Sequence, residues 1–234
     1  MRQEDELEAA VDSAIAYFDT SSEPHALLWL ALMQRRFGIA AFADALQRFD
    51  ALLARNPDQA PTLRVFRRIA DRENPFRPED LQAVTHPSDL IVAYALYADR
   101  QPLPPVFAKA LQRAAGQGGY YLTHVLLAWV WARENGCEPA LPDGFVEEVF
   151  RANAAIVNAD TGLVSDLRLE AAAFLHLAGQ GALVDSAFVE TVLVTQNDDG
   201  GWGRSRDDRG ASDWHATVLA LLLLLHRRTS PESH

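Results

Sequence analysis

The chain has 234 residues, 49% of them apolar, which suffices for one domain with a large core. A net charge of −11, with Lys109 the sole lysine, excludes general nucleic-acid affinity, because phosphate binding needs clustered Lys and Arg. One cysteine, Cys137, excludes an internal disulfide framework and a Cys-rich zinc module. The acidic start from Met1 to Glu8 has no basic region leading into an apolar stretch, so no secretory signal is expected. The longest apolar run, Val218 to Leu225, is too short to span a bilayer, and a cytoplasmic location is the expectation. Arginine in place of nearly every lysine, with abundant alanine, points to a GC-rich bacterial genome.

Apolar residues recur at helical spacing along most of the chain and β-branched alternation is scarce. The spacing predicts helices near 3–19, 23–36, 39–55, 60–72, 87–99, 104–115, 120–135, 143–156, 165–179, 184–196 and 213–227. Pro, Gly and Asn punctuate the gaps, as at Gly38, Asn56-Pro57, Asn74-Pro75, Pro102 to Pro105, Gly116 to Gly119 and Pro139 to Gly144. Short connections favour antiparallel neighbours. The one long connection, 197–211, is rich in Gly and charge and is either a flap over a site or a surface loop.

Comparison of helix starts discloses a weak repeat. Ser88-Asp89-Leu90, Thr123-His124-Val125, Ser165-Asp166-Leu167 and Ser212-Asp213-Trp214 each lead an apolar, Ala/Leu-rich helix, at intervals of 35, 42 and 47 residues. Ser22-Glu23 is a further candidate copy. A more amphipathic helix lies in each interval, the pattern of an inner ring of buried helices alternating with an outer one. Ser and Thr are also ordinary N-caps, whatever the architecture. The fold class expected is therefore all-α, a single α/α toroid, complete or partial, over 1–234.

Gln196-Asn197-Asp198-Asp199-Gly200-Gly201-Trp202 fits the QxxxGxW signature, and here the chain resembles the squalene-hopene cyclase and protein prenyltransferase superfamily. The resemblance is concentrated in 187–226. It implies a tight turn from an outer helix to the next inner one, in which Gly200 and Gly201 allow positive φ and Trp202 buries a large flat surface. Gln112-x-x-x-Gly116 and Asn158-x-x-x-Gly162 look like eroded copies, and Thr191 stands where the full pattern has an aromatic. The superfamily's catalytic signatures are absent. No Asp-x-Asp-Asp acid occurs, Asp207-Asp208-Arg209-Gly210-Ala211 fails the Asp-Asp-x-x-Asp pattern, and Cys137 has no aspartate two residues before it. Trp214-His215-Ala216-Thr217 resembles the setting of the zinc-binding histidine of the prenyltransferases.

Candidate functional residues gather at the expected inner-helix starts: His124, Asp166, Glu170, Asp213 and His215. If those starts surround one cavity mouth, two imidazoles and one or two carboxylates suit a divalent metal, possibly zinc, with an open coordination position. His124, Asp166 and His215 are the expected ligands, Glu170 a further ligand or general base, and Asp213 a catalytic carboxylate or a first-turn cap. The helix N-terminus is expected to keep both imidazoles neutral. Asp166 and Glu170 share a helical face, an unfavourable like-charge pair unless exposed or bound to a cation. Tyr120, Tyr121, Trp129 and Trp131 either line an apolar pocket or are core. Arg204, Arg206 and Arg209 either clamp an anion or balance Asp207 and Asp208. These features favour a metal-dependent hydrolase, lyase or transferase acting on a small-molecule or peptide substrate. A non-catalytic scaffold holding an apolar ligand or peptide is the competing class, and an isoprenoid cyclase with a displaced acid is a third.

Overall fold

The computed structural model describes residues 2–159, 163–205 and 210–229. Among these the chain is all-helical, with one isolated β-bridge between Trp202 and Asp213. The α-helices are α1 (Arg2–Tyr17), α2 (Pro24–Phe37), α3 (Ala45–Arg55), α4 (Ala60–Phe66), α5 (Pro78–Leu81), α6 (Pro87–Leu96), α7 (Phe107–Gln117), α8 (Gly119–Glu134), α9 (Phe145–Val157), α10 (Asp166–Leu177), α11 (Ser186–Val194) and α12 (Trp214–Thr229). No helix is long and apolar enough to cross a membrane among the described residues.

The expected helices are present, with four local differences. The stretch expected as one helix over 39–55 is a 3₁₀ turn, Ala40–Phe42, followed by α3, and the end of 60–72 is a second 3₁₀ turn, Arg67–Ile69. The one-turn α5, started by Pro78 with Glu79 and Asp80 in its first turn, is too short to display a period. α8 begins at Gly119, behind two glycines at positive φ (68° at Gly118 and 55° at Gly119). Thr123 and His124 thus lie a turn inside the helix and not at its start.

Buried and half-buried helices alternate along the second half of the chain. α8, α10 and α12 are buried on nearly every face, whereas α9 buries Val149, Asn153 and Val157, and α11 buries Phe188, Val189 and Val192. α6 packs on α8, α8 on α10, α10 on α12, and α12 on α2, while α4 touches both α2 and α6. α1 lies against α12 and α11, α3 against α2, α7 against α8 and α6, and α9 against α10 and α8. Alanines are concentrated where the buried helices meet. Ala93, Ala128, Ala132, Ala171, Ala172, Ala173, Ala216 and Ala220 are all fully buried, and short side chains let helix axes approach closely.

Side-chain contacts fix the direction of these helices. Near their starts, Asp89 of α6 faces His124 of α8 at 3.4 Å, His215 of α12 meets Asp166 of α10 at 2.8 Å, and the rings of His25 (α2) and Trp214 (α12) stack at 6.2 Å. At their far ends, Asn135 Nδ2 donates to the Leu96 carbonyl at 2.9 Å, while the His176 and His226 rings stack at 5.6 Å and Phe37 meets His226 edge-on at 5.0 Å. Midway, Trp29 of α2 packs on Phe174 of α10 at 5.9 Å and on Trp131 of α8 at 6.5 Å. α2, α6, α8, α10 and α12 therefore run the same way, with their first turns together.

The QxxxGxW segment closes the connection into α12. Gln196 Nε2 donates to the carbonyls of Gly200 and Ala10, both at 2.9 Å, tying the turn to α1. Trp202 is 1% exposed, and its indole N–H donates to the Val192 carbonyl at 2.8 Å. Its backbone bonds Thr217 Oγ1 and the Asp213 amide, which sets the start of α12. Gly200 has φ 87°, and a Cβ there would lie 2.2 Å from the Ser13 carbonyl oxygen. Replacing Trp202 by alanine should destabilise the chain by about 3–5 kcal/mol, read as a lower midpoint in urea unfolding. An unchanged midpoint would show that the turn does not anchor the fold.

The far ends of α10 and α12 carry a second imidazole pair. Burial, together with the charges of His226 and Arg227, holds His176 down to about 4, and burial and Arg36 hold His226 to about 4. The Nε2 atoms of both are buried without a hydrogen-bond partner among the described residues. Between the unfolded value near 6.5 and about 4, the unfolded chain binds more protons than the folded one, so stability falls as the pH is lowered across that window. His176→Leu should flatten the decline in urea midpoint between pH 6.5 and 4.5 relative to wild type; parallel profiles for the two proteins would contradict the assignment.

Candidate functional site

Because five helices begin at one end, their first turns surround a single cavity of about 140 Å³. Its polar wall comprises His25, Asp89, His124, Glu170 and His215. The aromatic rings of Trp29, Phe66, Phe174 and Trp214 form its apolar wall together with Leu28, Ile69, Val92 and Leu127. Helical spacing produces this layering, since one turn separates His25 from Trp29, Asp89 from Val92, His124 from Leu127, and Glu170 from Phe174.

Glu170 occupies the centre of the polar wall and is 1% exposed. Its Oε1 accepts a hydrogen bond from Thr123 Oγ1 and lies 3.3 Å from His124 Nδ1, while Oε2 lies 3.6 Å from His215 Nε2. Each imidazole is fixed at Nδ1. His124 donates to the Tyr120 carbonyl at 2.8 Å, one turn back in its own helix, and His215 donates to Asp166 Oδ1 at 2.8 Å. Asp166 Oδ2 in turn accepts from the Tyr120 hydroxyl at 2.8 Å. The opposite nitrogen, Nε2, faces Asp89 Oδ1 at 3.4 Å in His124 and Glu170 Oε2 at 3.6 Å in His215. Both imidazole side chains are about one-fifth exposed (21% and 23%), so the cluster is open to small solutes.

The electrostatics follow from this company. Burial alone would depress His124, but the hydrogen bonds of Asp89 and Glu170 outweigh it and lift the imidazole to about 10. His215 is likewise opposed by burial and raised by Asp166 and then Glu170. Burial works against ionised Asp166 and Asp89, yet bonds from His215 and His124 hold both below the usual carboxylate range. Burial and the bond to Asp166 push the Tyr120 hydroxyl well up. The expectation that the helix N-terminus keeps both imidazoles neutral is thus corrected: adjacent carboxylates act at hydrogen-bond range and exceed a dipole of about half a charge.

His124, Glu170 and His215 are brought together as expected, and Asp166 joins them through His215. Both oxygens of Asp166 are committed to His215 and Tyr120. Asp213 serves the start of α12, its Oδ1 accepting from the amides of His215 and Ala216 at 2.9 and 3.3 Å and pairing with Arg204 Nε at 2.9 Å. Arg204 also offers its carbonyl to the Asp166 amide, so the segment after Trp202 links the starts of α10 and α12. Arg206, Asp207, Asp208 and Arg209 lie outside the described residues. Arg168 turns away to the carbonyls of Val157 and Leu163. Tyr120, Tyr121, Trp129 and Trp131 do not line the cavity; Tyr120 binds Asp166, and Trp129 packs on Phe150.

Asp89 and His25 were not among the candidates singled out in the sequence. The repeat of helix starts held a signal for Asp89, since Ser88-Asp89 is one of its copies. Compared with known proteins, the chain matches no family model, no curated protein and no solved structure. Among the described residues, no group of three or more His, Cys, Asp or Glu is gathered at metal-ligand spacing. The contacts come as imidazole–carboxylate pairs joined through Glu170.

Asp166→Asn removes the charge that raises His215 and leaves burial opposing it. The His215 pKa should fall in an NMR titration of the chelator-treated protein, with His176 unaffected. An unmoved His215 would show that Asp166 does not set its charge.

Proposed function

We propose that the chain is a metal-dependent enzyme with its site in the cavity of an α/α toroid, where two imidazole–carboxylate pairs, His124 with Asp89 and His215 with Glu170, would close on a divalent ion. The observation that carries this reading is the clamping of both imidazoles at Nδ1, by the Tyr120 carbonyl and by Asp166, with Nε2 turned to a neighbouring carboxylate. Metal-bound histidines are characteristically oriented by a carbonyl or carboxylate on the other ring nitrogen. The Nε2-to-oxygen separations of 3.4 and 3.6 Å exceed a good hydrogen bond. They are close to the ~3.4 Å between two ligands that each lie about 2.0–2.2 Å from a tetrahedral ion.

Charge balance points the same way. Asp89, Asp166 and Glu170 form a carboxyl-rich wall that is answered either by two imidazoliums or by one dication beside neutral imidazoles. When bound, the ion supplies Lewis acidity and lowers the pKa of a coordinated water. Asp166 and the Tyr120 carbonyl orient the imidazoles, Thr123 holds Glu170, and Asp89 stands half-exposed at the cavity mouth. The toroid reading is supported by five co-directional helices in sequential contact, by the half-exposed helices between them, and by the packing of α1 on α12. The turn at Gln196–Trp202 adds the resemblance to the terpenoid cyclase-like superfamily, though not its acid motifs.

Protein purified without added metal should carry near-stoichiometric zinc, iron or manganese that a chelator removes. His124→Ala and His215→Ala should each abolish the metal while the helical circular dichroism persists. A protein that is metal-free, refuses added zinc and ignores chelator would overturn the metal and leave the cavity as a binding site. Turnover of squalene or a prenyl diphosphate would instead establish the cyclase class.

A further inference from the structure

We infer that the cavity takes an organic cation, an ammonium group carried on an apolar body, with the ammonium at the mouth beside Asp89. This rests on the reading of the cavity as the substrate site and deepens it. The hydrogen-bonding capacity that the walls leave unspent decides the sign of the ligand. Both nitrogens of His124 and of His215 already face the Tyr120 carbonyl, Asp166, Asp89 or Glu170. His25 donates from Nδ1 to Glu23 at 3.2 Å, so a neutral ring presents Nε2 as an acceptor. Among the described residues no lysine or arginine lines the cavity. Asp89 meets His124 and Ser88 through Oδ1, and its Oδ2 has no partner among the described residues. What the ionic groups of this layer leave unspent is carboxylate oxygen, and a ligand that brings charged N–H groups matches it.

Charge agrees with valence. The carboxylates of Asp89, Asp166 and Glu170 outnumber the two imidazoliums, or exceed the one dication that replaces their protons, and a negative charge is left over. Asp213 is balanced by Arg204, while Glu23 adds a further carboxylate behind His25. The first turns of α2, α10 and α12, whose dipoles would otherwise draw an anion, are already capped. Glu23 accepts from the His25 amide, Ser165 from the Arg168 amide, and Asp213 from the amides of His215 and Ala216. One turn deeper the wall is Trp29, Val92, Leu127 and Phe174, which receives the apolar body. Trp214, in the first turn of α12, sets an electron-rich ring on the cavity wall, a further attraction for a cation.

Titration calorimetry of the chelator-treated full chain with hexylammonium, hexanol and hexanoate varies the head group on one apolar body. Hexylammonium should bind about tenfold or more tighter than hexanol, and hexanoate more weakly than either. Asp89→Asn should bring hexylammonium down to the level of hexanol and leave hexanol unchanged, whereas Asp89→Glu should retain the preference. A blocked lysine, Nα-acetyl-lysine methylamide, separates the two sources of an alkylammonium: tighter binding than hexylammonium assigns a peptide side chain, weaker binding a free amine. Equal or tighter binding of hexanol or hexanoate to wild type, an Asp89→Asn variant that keeps the ammonium preference, or no binding of any of these compounds would overturn the inference. Metal content separates the two claims: a metal-bearing protein without an ammonium preference sinks this inference alone. An ammonium preference in a protein without any metal affinity supports it and sinks the metal reading.

Discussion

A carboxyl group buried in the middle of a helical layer is expensive unless its oxygens find partners, and Glu170 is such a group. Its partners come from two other helices: Thr123 and His124 from α8, and His215 from α12. They reach it because α10 continues as Ala171-Ala172-Ala173, which holds the neighbouring helices close without competing side chains. The same residue thus dictates the spacing of three helices and the position of two imidazoles. Asp166, one turn earlier, repeats the arrangement at the rim through His215 and Tyr120. The apparent like-charge conflict between Asp166 and Glu170 is relieved by an imidazole placed between them, not by Arg168.

The segment from Gln196 to Asp213 converts this local chemistry into a tertiary constraint. Trp202 fixes the end of α11 to the start of α12, Gln196 ties both to α1, and Arg204 joins Asp213 to the backbone of Asp166. Loosening the turn would move His215 relative to Glu170. The stability of Trp202 and the geometry of the site are therefore coupled, although Trp202 touches neither imidazole nor the cavity.

Helical periodicity made most of the fold legible, because a sustained 3.6-residue pattern identifies an element whatever its neighbours. It could not register α5, which is one turn long, and although it placed the start of α8 within a residue, the repeat read Thr123-His124 as that start when they lie a turn inside. The Ser/Thr-led starts rightly suggested that His124, Glu170 and His215 belong together. The aromatic wall was left open in the sequence for a different reason. Period shows that Trp131 and Trp29 both lie on buried faces, but which face borders empty space depends on how the helices are arranged around the cavity. Asp89 was passed over because a first-turn aspartate satisfies the helix dipole on its own, and nothing local distinguishes that use from a partnership with His124. The one-turn intervals from His25 to Trp29 and from Glu170 to Phe174 acquire meaning only once both helices are known to point the same way.

Those same helices offer an internal control on what the site requires. α10 and α12 carry imidazoles at both ends, His215 at the first turns and His176 with His226 at the last, and all are substantially removed from water. At the last turns no carboxylate among the described residues pairs with either imidazole, and burial with nearby arginines drives both down to about 4. At the first turns Asp166 and Glu170 reverse the outcome for His215, as Asp89 and Glu170 do for His124. Burial is common to both ends and cannot be what distinguishes them. The difference is the set of acids that the parallel packing delivers to one end. The helix dipole alone would favour charged imidazoles at the other end, against the carbonyl-rich last turns. The site exists against that gradient, and its carboxylates are what sustain it.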